Sequence, residues 1–246
     1  MDHAKFSTIA HSHHEFLNPI EPETLGAATS RLGLGRNTRA FDAGCGKAAL
    51  LIRLAESDGS ICVGVDTNPA FLAAGRAEAA RRGVADLVSL HEIEAERFAA
   101  GPRSFDLGIC IGSTHAFGGY GATLRALTRR VRPGGHLLVG EGYWRRAPDP
   151  GYLALLGAAN EDYCDHAGNV ALGTAAGLVA AGAWESSVAD WDRYEGLYAR
   201  TVEEYVVGHP EDPDATEMRE RIRAWREGYT RWGRDSLGFG LYLFRR

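Results

Sequence analysis

The chain has 246 residues, of which 45% are apolar, and its formal net charge at pH 7 is −5. This length suits one large α/β domain, or one domain with a cap, and so many apolar residues can bury a sizeable core. The negative charge argues against a protein that binds nucleic acid along a basic face, and no apolar run of about 18 residues is present to span a membrane. The four cysteines lack the spacing of a metal site, so we expect no bound metal and a reducing, cytoplasmic location.

Histidines are concentrated at the start of the chain: His3, His11, His13 and His14. They have no partnered acid in a metal-binding pattern, so the segment is either a mobile tail or a strap folded over a ligand crevice. In the second case His11 or His14 would reach a substrate. Pro22 then marks the start of a helix, which the spacing of apolar residues extends to about Leu34.

Residues 40–49 contain the pattern Asp-x-Gly-x-Gly, in which Asp42 follows a short apolar strand and precedes Gly44 and Gly46. A helical pattern begins at Lys47, so this stretch predicts a strand, a tight glycine turn and a helix. Such a unit opens a nucleotide-binding sheet. A carboxylate just before the glycines would repel a pyrophosphate, whereas it suits a ligand that carries a cationic amino group.

The stretch resembles motif I of class I S-adenosylmethionine-dependent methyltransferases, whose cofactor carries an ammonium and a sulfonium but no phosphate. Ala48 stands where many members have a third glycine, and its small side chain still permits close packing. The resemblance implies a Rossmann-like α/β fold with helices on both faces of a seven-stranded, mostly parallel sheet, whose last strand is antiparallel. It also implies cofactor contacts from the turn, namely Asp42, Ala43, Gly44, Cys45 and Gly46.

Two further strands end in acidic residues. Residues 60–66 form an apolar run that ends at Asp66, about 20 residues after the glycines, where an acid accepts hydrogen bonds from ribose hydroxyls. Thr67 would also contact the cofactor, although Asp66 as a simple helix cap is the alternative. A helix over residues 71–82 and a strand over residues 86–91 follow. In the methyltransferases the next residues, here Ile93, Glu94 and Ala95, commonly hold the adenine.

The fourth strand is predicted over residues 105–111, and a polar, glycine-rich loop follows it. Ligands of open α/β sheets bind beyond the carboxyl ends of strands, where strand order reverses. We therefore expect Ile111 and Gly112 to contact the cofactor, and Ser113 and His115 to contact a methyl acceptor. A histidine is the side chain most often used as a base, so His115 is a candidate base, or else it only shapes the pocket.

Arg132-Pro133-Gly134-Gly135 predicts a turn ahead of a fifth strand over residues 136–140, and Pro-Gly-Gly recurs at this place in the methyltransferases. Glu141 lies at the carboxyl end of that strand. Beyond it the patterns predict helices over residues 151–165 and 174–182, a sixth strand over 184–189, a long helical insertion over 191–234 and a last strand over 238–244. In class I methyltransferases this last strand lies between the fifth and the sixth.

We therefore expect one methyltransferase domain over residues 1–246. Its parts are an N-terminal cap segment and helix (1–35), a cofactor-binding core (36–145), helices and strand six (146–190), a helical insertion or cap (191–235) and the last strand (236–246).

The resemblance covers nearly the whole chain and extends to a small bacterial family of uncharacterised small-molecule methyltransferases. The shared motifs are here residues 11–20, 140–145 and 191–195. The family implies the class I fold and S-adenosyl-L-methionine as cofactor, but it indicates no particular substrate. Our hypothesis for the reaction is in-line methyl transfer to an O, N or S nucleophile of a small molecule. The candidate bases are His115, then Glu141, then His14 or His11. Aromatic residues would form a wall for the acceptor: Tyr143, Trp144, Trp191 and Tyr194.

Two other classes of function stay open on the sequence. A nicotinamide-dependent oxidoreductase shares the ribose-binding acid, but Asp42 and the lack of a Tyr-x-x-x-Lys motif count against it. A non-catalytic module that binds an adenosyl ligand could keep the same turn. The polar loop after strand four favours an enzyme over that module.

Overall fold

The computed structural model describes all residues from Met1 to Arg246. The strands are β1 (Arg39–Ala43), β2 (Ile61–Asp66), β3 (Val88–Glu92), β4 (Phe105–Ile111), β5 (Val131–Trp144), β6 (Val179–Glu185) and β7 (Leu237–Arg245). The main helices are α1 (His3–Ala10), α2 (Pro22–Thr29), α3 (Ala49–Asp58), α4 (Pro69–Arg81), α5 (Tyr120–Arg130), α6 (Pro150–Leu156), α7 (His166–Ala175), α8 (Val188–Gly208) and α9 (Ala215–Gly228). None of the helices combines the length and the apolar character that crossing a bilayer requires.

The seven strands form one sheet in the order β3-β2-β1-β4-β5-β7-β6, and only β7 runs antiparallel to its neighbours. This confirms the predicted sheet, including the position of the last strand between the fifth and the sixth. Strand order reverses between β1 and β4, so the loops after these two strands open onto one crevice. The fold therefore brings the glycine turn and the polar loop of residues 112–119 together.

The sheet buries an apolar layer on each face, because strand side chains point alternately to opposite sides. One layer packs against α2, α3 and α4 and includes Leu51 and Leu107. The other packs against α5 and α7 and includes Phe41 and Leu137. These layers hold the strand ends rigidly, which positions the crevice.

A third apolar cluster lies outside the sheet and joins α1 to α8 and α9. Phe6 and Ala10 of α1 pack on Val202 of α8 and on Met218 and Ile222 of α9. We call these three helices the cap. Lys5 adds ion pairs to Asp212 and Asp214, whose nearer oxygens lie 2.6 and 3.1 Å from the ammonium nitrogen. The start of the chain and the segment ahead of β7 thus form one packed unit.

Two of the predicted later elements are wrong. Helix α7 ends at Ala175 and β6 begins at Val179, so residues 174–182 are not one helix. Helix α8 begins at Val188, inside the strand expected over residues 184–189. Residues 170–184 contain no charged side chain, so the sequence there lacks the polar alternation that separates a strand from a helix.

Two further boundaries differ from the prediction. Gly157, with φ of 62°, ends α6, so residues 151–165 form a short helix and a 3₁₀ turn at Asn160–Asp162. The Pro-Gly-Gly segment is not a turn ahead of β5. Val131 already pairs with Phe105 of β4, and pairing resumes at His136 with Leu107, so residues 132–135 bulge out of the strand.

Candidate active site

The glycine turn passes close beneath two other segments. Gly44 and Gly46 have left-handed backbones, with φ of 73° and 53°. A Cβ atom on Gly44 would lie 2.3 Å from the Ser113 hydroxyl oxygen, and one on Gly46 would lie 2.7 Å from a methyl carbon of Leu17. Both the backbone conformation and the spacing therefore require glycine. Ala48 tolerates the same conformation, with φ of 58°, at a cost of about 1–2 kcal/mol.

Two carboxylates flank this turn without any cationic partner in the chain. Asp66 accepts hydrogen bonds from the backbone N–H groups of Gly46 and Asn68, each at 2.8 Å. Asp42 is only 6% exposed, and its carboxylate makes no hydrogen bond within the protein. Burial, and secondarily the charge of Asp66, raise the pKa of the Asp42 carboxyl to about 7. The site therefore attracts a cation and disfavours a phosphate.

A cavity of about 650 Å³ opens beside the turn, a size that suits a nucleotide with a second small molecule. It brings together most of the predicted residues: His11, Gly44, Gly46, Asp66, Thr67, Ile93, Glu94, Ala95, Ile111, Gly112, Ser113 and His115. A recess of about 50 Å³ shares Leu17, Gly44, Gly46 and Ile111 with this cavity and adds Asp42 and Cys45. Ala43 lies outside both, but its carbonyl accepts a 2.8 Å hydrogen bond from the Ser113 hydroxyl.

The segment that follows α1, residues 11–20, is folded over this cavity, and we call it the strap. The histidine-rich start of the chain is therefore not a mobile tail. His11 Nδ1 lies 2.9 Å from the Ser7 carbonyl, which assigns the ring proton to Nδ1 and leaves Nε2 to accept from the Tyr194 hydroxyl at 2.9 Å. Burial lowers the pKa of His11 to about 4, so the ring is neutral at physiological pH. His14 is buried behind it, and its Nε2 donates to the Tyr194 carbonyl at 3.1 Å.

His115 and Glu141 occupy different environments. His115 lies on the 3₁₀ turn Thr114–Phe117 and is exposed at the rim of the cavity. Glu141 is buried, does not line the cavity, and accepts hydrogen bonds from the Thr114 hydroxyl and from the Gly142 N–H. Burial raises the pKa of the Glu141 carboxyl. The contact with Thr114 holds the turn that carries His115.

The four predicted aromatic residues form two separate groups. Tyr143 and Trp144 are adjacent in β5, so their side chains point to opposite faces of the sheet. The Tyr143 hydroxyl donates to Glu185, while Trp144 packs on Tyr163. Trp191 and Tyr194, on α8, contact each other edge to face with ring centroids 6.2 Å apart. The structure therefore does not join these residues into one wall.

Several cavity residues were not identified from the sequence. Asn68 caps α4 and its amide donates to Thr8 of α1 at 2.8 Å, and Phe71 lines the cavity one helical turn later. A signal for both existed, because they directly follow the acid at the end of β2. Leu17 and Asn18 reach the recess from the strap. Nothing in their own sequence neighbourhood indicates that contact.

Comparisons with known proteins agree with this geometry. Residues 41–137 match the family described as a methyltransferase domain. The uncharacterized protein YjhP of Escherichia coli (strain K12) is 28% identical over 251 residues, which span 98% of each chain. An S-adenosylmethionine-dependent methyltransferase from Geobacter sulfurreducens, solved with S-adenosyl-L-homocysteine, has 29% identity, a TM-score of 0.92 and 98% coverage of both chains. An S-adenosylmethionine-dependent methyltransferase from Thiobacillus denitrificans, also solved with S-adenosyl-L-homocysteine, has 27% identity, a TM-score of 0.91 and full coverage of both chains.

Proposed function

We propose that this chain, which belongs to the S-adenosylmethionine-dependent methyltransferases, transfers a methyl group in line to an O, N or S nucleophile of a small molecule. The observation that carries the proposal is a pair of carboxylates without a cationic partner, Asp42 and Asp66, beside the glycine turn. A ligand with an ammonium, a ribose and no phosphate matches that pair. A nicotinamide dinucleotide would bring a pyrophosphate against Asp42.

The cofactor contacts divide among four loops. Asp42 and the turn residues Ala43, Gly44, Cys45 and Gly46 would hold the amino acid portion, with Ile111 and Gly112 across the recess. Asp66 and Thr67 would receive the ribose hydroxyls. Ile93, Glu94 and Ala95 line the cavity in the position expected for the adenine ring. The negative charge of the two carboxylates, the volume of the cavity and the close approach at Gly44 and Gly46 all fit S-adenosylmethionine.

When bound, S-adenosylmethionine supplies a methyl group whose bond to sulfur breaks as the bond to the acceptor forms, leaving a neutral thioether. The protein therefore has to align the acceptor and exclude water. The strap and the loop after β4 bound the cavity from two sides, through His11 and Ser113. Ser113 is fixed by its hydrogen bond to Ala43, so its position relative to the cofactor turn is set before an acceptor arrives.

A base is required only when the acceptor binds in its protonated form. His115 is our first candidate, because it lies on the cavity rim with no competing hydrogen bond in the protein. Glu141 would act indirectly, because it holds Thr114 in the turn that carries His115. His11, a neutral imidazole in the cavity wall, is better placed than the buried His14.

We place the acceptor among small molecules. Helix α1 of the cap and the strap line one side of the cavity, and the net charge of −5 disfavours nucleic acid. The four cysteines are free thiols, which supports a reducing compartment such as the cytoplasm.

Ligand choice tests the cofactor assignment directly. The melting temperature of the purified protein is measured with S-adenosylhomocysteine, with NAD⁺ and with neither. We expect S-adenosylhomocysteine to raise the melting temperature and NAD⁺ to leave it unchanged. A rise with NAD⁺ alone would overturn the assignment.

Turnover tests the acceptor class. The enzyme is incubated with S-adenosylmethionine that carries a deuterated methyl group, together with either a small-molecule extract or a nucleic-acid fraction. We expect S-adenosylhomocysteine and a deuterated product only with the small-molecule extract, and none with Asp66→Ala. With the acceptor identified, His115→Ala should lower the rate of methyl transfer, whereas an unchanged rate would remove the base role.

A further inference from the structure

We infer that Lys47 is a positioning residue that holds the strap closed over the bound cofactor, an inference that rests on the proposed function. The Lys47 ammonium nitrogen lies 2.7 Å from the carbonyl oxygen of His11, 2.8 Å from that of Ser12 and 2.9 Å from that of His14. An ammonium has three N–H donors, and here each has a backbone acceptor. No carboxylate pairs with this side chain.

The three carbonyls belong to residues that follow α1, next to the helix end that His11 caps through its backbone N–H and its ring Nδ1. A cation at this end interacts favourably with the helix dipole. Lys47 thus holds the residues that follow α1 rather than the last turn of the helix itself. The residues on either side of this contact, Ser7 and Leu17, both line the cavity.

Lys47 joins the strap to the cofactor turn through a short series of contacts. It directly follows Gly46, whose N–H donates to Asp66 at 2.8 Å. A ligand that engages Asp66 therefore stabilises the turn from which Lys47 extends. Helix α1 and its first following residue contribute His3, Ala4, Ser7 and His11 to the cavity wall, so displacement of α1 opens the cavity.

The residue type at position 47 fits this role. Only two of the 27 basic Lys and Arg residues are lysines, and both hold α1: Lys5 on its far side and Lys47 at its end. A compact ammonium donates in three diverging directions, whereas a planar guanidinium cannot converge on three carbonyls around one point. We therefore expect arginine at position 47 to replace lysine only in part.

The test compares Lys47→Met with Lys5→Met, which removes the lysine that pairs α1 with Asp212 and Asp214 and leaves the cofactor turn untouched. We expect Lys47→Met to speed S-adenosylhomocysteine dissociation by at least about tenfold, because several charge-assisted hydrogen bonds are lost. Lys5→Met should change that rate by less than about threefold. Lys47→Arg should lie between Lys47→Met and the wild type.

Hydrogen exchange without ligand separates this inference from the proposed function. Residues 11–17 of Lys47→Met should exchange faster than in the wild type, while β1 and β4 stay protected. Unchanged exchange of the strap would overturn the inference even if the wild type binds S-adenosylhomocysteine. Failure of the wild type to bind that ligand would instead count against the proposed function.

Two further measurements distinguish a strap held by Lys47 from direct contact between Lys47 and the cofactor. If Lys47 bound the cofactor carboxylate, Lys47→Met would weaken S-adenosylhomocysteine but not 5′-methylthioadenosine, which lacks the amino acid; we expect both to dissociate faster. Should the variant fold poorly, acylation of the wild-type lysines replaces it. Bound S-adenosylhomocysteine should then slow acylation of Lys47 and not of Lys5, and equal rates with and without ligand would overturn the inference.

Discussion

The two walls of the cavity are built in opposite ways. The sheet wall comes from the loops after β1, β2, β3 and β4, and its carboxylates Asp42 and Asp66 have no cationic partner. The cap wall consists of α1 and the strap, and α8 and α9 support α1 from behind, where Lys5 pairs with Asp212. One wall thus keeps charge available for a ligand, while the other uses charge for assembly.

The walls also differ in how they are stabilised. The two sheet layers contain 22 and 17 buried apolar residues, whereas the cap cluster contains eight, so the cap should open before the sheet does. Ion pairs near the surface, such as the half-buried Lys5–Asp214 pair, contribute little to stability. The cohesion of the cap must therefore come mainly from residues such as Phe6.

The largest effects should come from matched truncations in the two walls. Phe6 and Phe105 are 4% and 3% exposed, and Phe→Ala at such sites costs about 3–5 kcal/mol. We expect Phe105→Ala to lower the free energy of global unfolding by that amount in urea. Phe6→Ala should instead raise hydrogen exchange in α1, α8 and α9 and weaken S-adenosylhomocysteine binding. Equal loss of global stability in both variants would show that the walls unfold together.

The next effect concerns the unpartnered charge on the sheet wall. Asp66→Asn removes the carboxylate that accepts from two backbone N–H groups and that we propose to receive the ribose hydroxyls, so we expect affinity for S-adenosylhomocysteine to fall by about 100-fold. Glu92→Gln is the matched control, because Glu92 also ends a strand but is exposed and lies outside the cavity. Calorimetry should show no change for the control, and comparable losses in both would refute a specific role for Asp66.

A smaller effect separates crowding from backbone conformation in the turn. Gly44 and Gly83 have similar φ values of 73° and 71°, but a Cβ atom meets Ser113 only at Gly44. Gly83→Ala should cost about 1–2 kcal/mol of stability, and Gly44→Ala about 1–3 kcal/mol more. Urea unfolding measures both variants. Equal costs would mean that the loop after β4 moves aside freely.

The smallest effect is a pH dependence of binding that arises from Asp42. The pKa of its carboxyl is about 7 in the free protein, and a cationic ligand favours the ionised form, so binding below about pH 7 releases a proton. Affinity should therefore rise by up to about tenfold per pH unit towards pH 7 and then level off. Calorimetry in buffers of different ionisation enthalpy counts the proton, and Asp42→Asn should abolish its release.

The raised pKa of Asp42 also predicts that the stability of the ligand-free protein depends on pH. A carboxyl whose pKa is raised by folding stabilises the fold at low pH, and that contribution is lost as the pH rises through about 7. Asp42→Asn should therefore raise the melting temperature at pH 8 while it weakens ligand binding. A lower melting temperature would contradict the assigned pKa.

The sheet wall could be predicted from sequence because local patterns encode it. The glycine turn, the acid that ends β2 and the bounds of β4 all follow from residues a few positions apart. The strand β6 was misplaced, since residues 170–184 offer only glycines, apolar side chains and a single hydroxyl. Its position depends on pairing with β7, from Val179 opposite Arg245 to Glu185 opposite Gly240.

The cap wall was predictable only as a helical region. The contact between His11 and Tyr194 joins residues 183 positions apart, and no local pattern marks it. Lys47 was equally hidden, because its acceptors are backbone carbonyls, which every residue type supplies. Predicting such contacts requires the tertiary arrangement of α1 on α8.

Strands β6 and β7 are neighbours, with Glu185 opposite Gly240, so the segment that carries α8 and α9 departs from and rejoins the sheet at one edge. Because its two ends are adjacent, this segment can be lengthened, shortened or exchanged without changing the path of any strand. Grafting the equivalent segment of a relative should therefore leave the order of the seven strands unchanged.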